Sequence, residues 1–396
     1  MTESKTRVVV IGGGYAGVMA ANRLCKGATD VTLVNPRAQF VERIRLHQLA
    51  IDNDDAVEDF ATVLNGDVRL VVDGAERIDA AARRVELTSG AALDYDYLVY
   101  AVGSTGAVPA GVQGAREFAY PLSELEQAQR LRARLADTPM SAPIVVVGGG
   151  LTGIEAASEF AEAGRTVTLV SNKLAPSLAD SGRRSVAKRL HKLGVTVIET
   201  PVYAVNAEAV LLTDGQWLPS AVTVWTAGFG VPGLAAASGL TTDALGRLLT
   251  DETLTSVDDD RIVGTGDAVS PSGLPFRMSC QAGLPLGAQA ANTVLSRIEG
   301  NAPADVSVPM SGQCISLGRG AGTVQLQHKD DTPTTVYIGG KAGAFVKEQV
   351  CRWTVKWLAG EANKPGSYKS FKGPDRAEQV AEAAKVASLP PHARRA

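Results

Sequence analysis

Cysteine is scarce in this chain of 396 residues: Cys25, Cys280, Cys314 and Cys351 stand far apart. That number and spacing exclude a disulfide scaffold, and no two lie close enough in sequence to form a local redox pair. Aromatic residues make up only 5%, and the four histidines are never paired with a cysteine at ligand spacing, so no metal site is expected. Positive charge is not in excess. Lys and Arg number 39 against 42 Asp and Glu, a formal charge of −3, which lacks the basic footprint of a nucleic-acid binder. No run of about 18 apolar residues could span a bilayer. The opening MTESKTR lacks the basic and then apolar pattern of an export signal. The expectation is a cytoplasmic protein whose membrane contact, if it has one, is peripheral and at the inner face. With 45% hydrophobic and 20% charged residues the chain is globular, and its length suggests two or three domains.

Glycine is abundant: 41 residues, about a tenth of the chain, against roughly 7% on average. Its clusters mark an internal repeat. Residues 7–35 (RVVVIGGGYAGVMAANRLCKGATDVTLVN) match residues 143–171 (PIVVVGGGLTGIEAASEFAEAGRTVTLVS). Further on, VELTSGAALDYDYLVYAVG (85–103) pairs with VLLTDGQWLPSAVTVWTAG (210–228) at a constant offset. Each unit reads as strand, helix, strand, then short strands with turn signals. The pattern predicts an α/β fold: two doubly wound, Rossmann-like dinucleotide domains with antiparallel meanders near 68–88 and 195–213, plus a smaller C-terminal α+β segment. The boundaries expected are 1–118 and 251–308 for the first domain in two parts, 119–250 for the second, and 309–396 for the remainder.

Two fingerprints stand between a strand and a helix, Gly12-x-Gly14-x-x-Gly17 and Gly148-x-Gly150-x-x-Gly153. The first glycine makes the tight turn, the second lets backbone approach a pyrophosphate, and the third lets helix pack on strand. The phosphates then meet free N–H groups at the helix start. Ala16 and Thr152 lie within these turns. The position that normally carries a ribose-binding carboxylate holds Asn35 in the first unit and Ser171 in the second. Asn35 can still bond ribose hydroxyls through its amide. Ser171, with Lys173 two residues on, admits NADPH as well as NADH. Arg37 and Arg43 follow the first ribose position.

These two units, the Ala101-Val102-Gly103 and Thr226-Ala227-Gly228 segments, and a later Thr265-Gly266-Asp267-Ala268 resemble the two-dinucleotide flavoprotein oxidoreductases, the pyridine nucleotide-disulfide oxidoreductase superfamily without its redox disulfide. The resemblance covers roughly residues 7–300. It implies that the first fold binds FAD through Gly12, Gly14, Gly17, Gly266 and Asp267. The second would bind NADH or NADPH through Gly148, Gly150, Gly153 and Glu155, the last bordering the nicotinamide. Phe40–Ala50 (FVERIRLHQLA) and Ser279–Ala291 (SCQAGLPLGAQAA) are similar to segments of type II NADH dehydrogenases, and Ile315–Gly322 to the opening of their C-terminal domain. Gln281 and Ala282 match the segment beside flavin and quinone loosely, while Cys280 and Pro285 depart from it. Apoptosis-inducing-factor-like members are the other close resemblance.

The implied activity is hydride transfer from NAD(P)H to FAD and then two electrons to a quinone-like acceptor, with Glu155, Gln281 and Cys280 at the reacting centre. Two alternatives stay open: a reductase of a ferredoxin or rubredoxin, and a non-enzymatic redox sensor. Cys280 reads either as a reactive thiol or as a buried, inert one, the second being favoured. Arg43, Arg45 and His47 could stabilise an anionic reduced flavin or form a solvated basic face. Glu155 could equally be an exposed helix glutamate. Residues 343–358 (GAFVKEQVCRWTVKWL) can form a helix with Phe345, Val346, Gln349, Val350, Trp353 and Trp357 near one face and Lys347, Arg352 and Lys356 elsewhere. Such a helix could lie on an anionic membrane, cap the flavin domain or join a homodimer. A charged, alanine-rich helix is expected after Gly373, and a disordered end at 390–396.

Overall fold

A computed structural model describes residues 5–388; the end expected to be disordered lies outside them. Runs of Val, Ile and Leu bounded by glycine form the central strands, as expected for strands buried on both faces. The first unit begins with β1 (Thr6–Ile11), α1 (Tyr15–Leu24) and β2 (Thr29–Asn35), followed by the short helix α2 (Leu46–Leu49), β3 (Arg69–Val72) and β4 (Tyr97–Tyr100). The second unit repeats the plan with β5 (Ala119–Pro121), α3 (Leu125–Ala136), β6 (Pro143–Val147), α4 (Leu151–Glu162), β7 (Thr166–Val170), β8 (Thr196–Ile198) and β9 (Val222–Trp225). The chain then returns to the first sheet with β10 (Ile262–Gly264) and crosses it with α5 (Cys280–Ile298).

Both sheets are parallel and five-stranded, in the orders β10-β4-β1-β2-β3 and β5-β9-β6-β7-β8. Val8 pairs with Val31 on one side and Tyr97 on the other, and Ile144 pairs with Val167 and Val222 in the same way. The repeat in sequence is thus a repeat in register. The meanders sit at 75–94 and 202–219, later than expected. The difference has a simple cause: Arg69–Val72 and Thr196–Ile198 pair in parallel as the outer strands of the main sheets.

The last part is a three-stranded antiparallel sheet, β11 (Gly312–Ser316), β12 (Gly322–Gln327) and β13 (Pro333–Gly339), then a long helix α6 (Gly340–Asn363) and α7 (Ala377–Ser388). Helix α6 extends beyond the expected 343–358 at both ends. Its Leu358 joins the core of the first unit with α1 and α5, whereas Ile315 and Leu317 join the core of the second. Helix α2 belongs to the first unit by sequence, yet its Leu46 and Leu49 pack in the second core with Leu131 of α3 and Ile154 of α4. Among the described residues no helix is long and apolar enough to cross a membrane.

Candidate functional site

Two cradles and a buried charge cluster make up the site. In the first cradle Gly12 has φ +105°, and a Cβ there would stand 2.3 Å from the Ala101 carbonyl; one on Gly17 would stand 1.8 Å from the Gly12 carbonyl. Around Gly14, the helix N-cap, the same test meets no atom within 4 Å. Two glycines close the turn and the third leaves room for a phosphate at the helix start. Gly266, at φ +74°, brings the next turn against Ala16, where a Cβ would lie 3.0 Å from that methyl. The Thr265 hydroxyl is buried here without a partner, which suits a polar ligand running through this space. The residues therefore fit FAD.

Asp267 is fixed by its neighbours. Ser104 Oγ donates to it at 2.7 Å and the Ser279 N–H at 3.2 Å. Ser279 also caps α5 by accepting from the Ala282 N–H at 3.2 Å, so the carboxylate stands at a positive helix end. Arg43 donates to the Ser104 carbonyl (2.8 Å) and hydroxyl (3.0 Å) and to the Ser123 carbonyl (3.0 Å). Gly103 flanks this chain with φ +69° and open space beside it. Asn35 accepts from the Gly13 N–H (2.9 Å) and donates to the Arg37 carbonyl (2.7 Å), which leaves one amide N–H and one lone pair for a ribose. Arg37 itself is engaged elsewhere, bidentate to Glu126 and bonded to Glu124 at the start of α3.

The second cradle repeats the first. Gly148 has φ +125°, a Cβ on Gly153 would stand 1.9 Å from the Gly148 carbonyl, and none of the surroundings touch Gly150. Thr152 follows in the first turn of α4, and Gly228 (φ +91°) closes toward Ala107. Ser171 lies against Gly149, and Lys173 is exposed. Beside them Glu199 accepts from the Leu174 N–H at 2.6 Å, a carboxylate that the sequence pattern did not single out. Arg165 is far from this work: it donates to the carbonyls of Leu135, Thr138 and Pro139.

Between the cradles lies the buried charge. Glu155 is not an exposed helix residue; it is 6% exposed. The Lys347 ammonium is 2.9 Å from its Oε1, the Ser316 N–H donates to it at 2.9 Å, and His47 Nδ1 is 3.7 Å from its Oε2. Burial alone would raise Glu155, but the Lys347 ammonium holds its carboxyl below the usual range. Lys347 is held well above its ordinary value despite burial, chiefly by Glu155. Of the two readings of Arg43, Arg45 and His47, the solvated basic face does not form, because Arg45 and His47 are buried. Arg45 is met by Glu42, Asp54 and Glu348. Burial pushes His47 down to about 4, so it is neutral at ordinary pH.

Three cysteines far apart in sequence gather here. Lys347 donates to the Cys314 carbonyl at 3.5 Å, Cys351 follows one helical turn later, and Cys280 lies within electrostatic reach of the same ammonium. Burial pushes the Cys280 thiol up to about 11 and raises Cys314 and Cys351 as well, so all three are protonated thiols rather than nucleophiles. Gln281 ties α5 to the C-terminal sheet: its oxygen accepts from the Ser311 N–H (2.9 Å) and hydroxyl (2.6 Å), and its nitrogen donates to the Gly312 carbonyl (3.0 Å). A cavity of ≈ 460 Å³ opens beside the cluster, with Gln48, Arg319, Phe345, Lys347 and Cys351 among its lining. Lys347 and Arg319 are the residues that sequence reading missed. Lys347 was assigned to the polar side of its helix, and nothing local marks it as the partner of a glutamate nearly two hundred positions earlier.

Comparison with known proteins gives this geometry a context. Residues 6–293 match the model of the pyridine nucleotide-disulphide oxidoreductases. An NADH dehydrogenase-like protein of Mycobacterium tuberculosis is 31% identical over 351 residues, covering 79% of this chain and 86% of its own. A type II NADH:quinone oxidoreductase of Staphylococcus haemolyticus is 26% identical, with 88% of this chain and 95% of its own covered. The solved structure of NDH2 from Plasmodium falciparum in complex with NADH superposes with a TM-score of 0.75 over 92% of this chain and 99% of that one; at 14% identity the likeness is one of fold.

Proposed function

Because the chain belongs to the pyridine nucleotide-disulphide oxidoreductases, an FAD-dependent family of oxidoreductases, we propose that it carries two electrons from NADH through FAD to a quinone. The observation that carries this reading is the Lys347–Glu155 pair at the wall of the ≈ 460 Å³ cavity. A quinone gains negative charge and protons as it is reduced, and a buried ammonium held on a carboxylate offers N–H groups to its oxygen and a fixed positive charge for the anion forming there. An iron–sulfur protein takes electrons alone and needs no such group.

Bound FAD supplies the chemistry of accepting hydride and passing on electron pairs. The chain does the rest by position. Gly12, Gly14 and Gly17 receive the pyrophosphate, with Asp267 fixed beside Ser104. Gly148, Gly150 and Gly153 receive the nicotinamide nucleotide. Glu155 acts through Lys347, and Gln281 holds the start of α5 to the sheet that carries Cys314. The thiols take no redox part, since each is held protonated. Glu199 beside Ser171 opposes the 2′-phosphate of NADPH by charge and favours NADH.

Helix α6 supports peripheral membrane contact. Phe345 is 66% exposed, Trp353 and Trp357 44% each, and Arg352 and Lys356 emerge alongside them. Aromatic and basic residues on one outer face suit the bilayer interface, where quinones are found. The test is to reduce the flavin-loaded protein with NADH without oxygen and mix it with menadione or with a ferredoxin. Rapid reoxidation by menadione is expected; preference for the ferredoxin overturns the reading.

A further inference from the structure

His47 stands between two buried carboxylates. Its Nδ1 faces Glu155 Oε2 at 3.7 Å, its Nε2 faces Glu159 Oε1 at 4.0 Å, and only 3% of the side chain is exposed. Inward, Glu155 holds Lys347 at the cavity. Outward, Glu159 accepts at 3.1 Å from Asn53, which reaches solvent, and it also accepts from Arg319, whose side chain lines the cavity. These groups form one line from the surface to the inner wall of the cavity. We propose that His47 is a positioning residue that relays protons from Glu159 to the Glu155–Lys347 pair while the acceptor fills the cavity. The inference rests on the quinone reading above.

The chemistry requires such a path. When NADH reduces a quinone, the C4–H bond of the dihydronicotinamide breaks and the hydride carries two electrons and one hydrogen. NAD⁺ leaves, two O–H bonds form on the quinone, and the second hydrogen comes from a solvent proton. A headgroup in the cavity shuts bulk water out from that side. As the reduced oxygen gains charge, Lys347 hands it a proton while Glu155 returns one in the same movement, so the ammonium stays charged. His47 Nδ1–H supplies Glu155, and His47 Nε2 is refilled from Glu159.

A neutral imidazole has one N–H and one lone pair, so it serves one carboxylate at a time and changes tautomer in passing a proton on. Both separations exceed a hydrogen bond, and the ring must shift by roughly 0.5–1 Å toward the carboxylate it serves. The charged groups facing His47 act in both directions, the carboxylates of Glu155 and Glu159 favouring a charged ring, and burial with the nearby cations prevails. Lys347 from α6, Arg319 from the turn after β11, and Arg45 from its own segment oppose a charge on the ring, while Glu155 from α4 favours one. Helix α3 packs on α2 through apolar side chains of the second core. Burial raises Glu159, whereas Lys347 more than offsets burial at Glu155. The two carboxylates are thus pushed apart, and Glu159 is the one that takes a proton from solvent more readily.

The experiment uses the full-length, flavin-loaded protein with His47→Gln and His47→Gly. With NADH-reduced protein, His47→Gln should slow reoxidation by menadione roughly tenfold or more. It should leave reduction by NADH unchanged, and also reoxidation by ferricyanide, which takes no protons. Added imidazole should restore part of the menadione rate in His47→Gly. Independently of turnover, nitrogen-15 NMR of the four histidines, with His47 identified by its loss in His47→Gln, should show a neutral ring between about pH 6 and 8. Slowing of ferricyanide by the same factor, a menadione rate matching the parent, or a ring that charges within that range overturns the relay. If the parent protein reacts with ferricyanide and not with menadione, the quinone reading falls first and the relay with it.

Discussion

At the scale of the residue, Glu155 and Lys347 depend on each other. Their side chains are 8% and 13% exposed and 2.9 Å apart. Removing one partner strands the other as a buried charge, which costs about 3–5 kcal/mol, whereas replacing both with apolar groups costs far less. Lys347→Met should therefore lower the thermal midpoint more than Glu155→Leu/Lys347→Met does. A single variant that melts no lower than the double one contradicts this coupling. His47 adds a pH dependence whose sign is fixed. The folded ring titrates at about 4 against an ordinary 6.5. Between those values the unfolded chain binds a proton that the folded chain refuses, so stability rises with pH across that window. The contribution is fully present above about 6.5 and lost toward 4, about 3 kcal/mol in all. Denaturation midpoints taken across that window should fall less steeply in His47→Gln, and parallel curves would sink the assignment.

At the scale of the element, the two fingerprint glycines of the second cradle separate folding from binding. A side chain at Gly150 meets nothing in the protein, while one at Gly153 meets the Gly148 carbonyl at 1.9 Å. Gly150→Val should keep its melting temperature and bound flavin but fail to bleach with NADH. Gly153→Ala should lose about 1–3 kcal/mol of stability by overpacking. Equal melting temperatures for the two would contradict this packing. These turns were legible in the sequence because their chemistry is local: glycine spacing, an apolar strand before and a helix after. Helix α6 was not. Its aromatic face was left open between a membrane, a cap on the flavin domain and a dimer; in the fold Cys351, Thr354 and Leu358 are the buried residues, while Phe345, Trp353 and Trp357 look outward. Helical periodicity identifies two faces, but only the partner of Lys347 decides which one is covered, and that partner is in another unit. The meanders were placed too early for a similar reason, since Arg69–Val72 and Thr196–Ile198 are recruited by distant strands.

At the scale of the whole molecule, Arg37 on Glu124 and Glu126, α2 in the second core, and the Glu155 cluster lock the parts together. The outer face of α6 carries exposed aromatic and basic residues together. Trp353→Ser/Trp357→Ser should reduce cosedimentation with anionic phospholipid vesicles severalfold while menadione reduction in solution is retained. Parent protein that stays in the supernatant at low salt would remove the case for membrane contact.

The ion pair between α4 and α6 also bears on how such chains can diverge and be recombined. A chimera that joined the first three hundred residues to a relative's C-terminal portion would inherit Glu155 without the lysine that answers it. The graft would then be tolerated only where the donor carries a cation at the same turn of its long helix. The final segment is thus not an interchangeable module, and its inheritance is tied to a single glutamate on the nucleotide-binding helix.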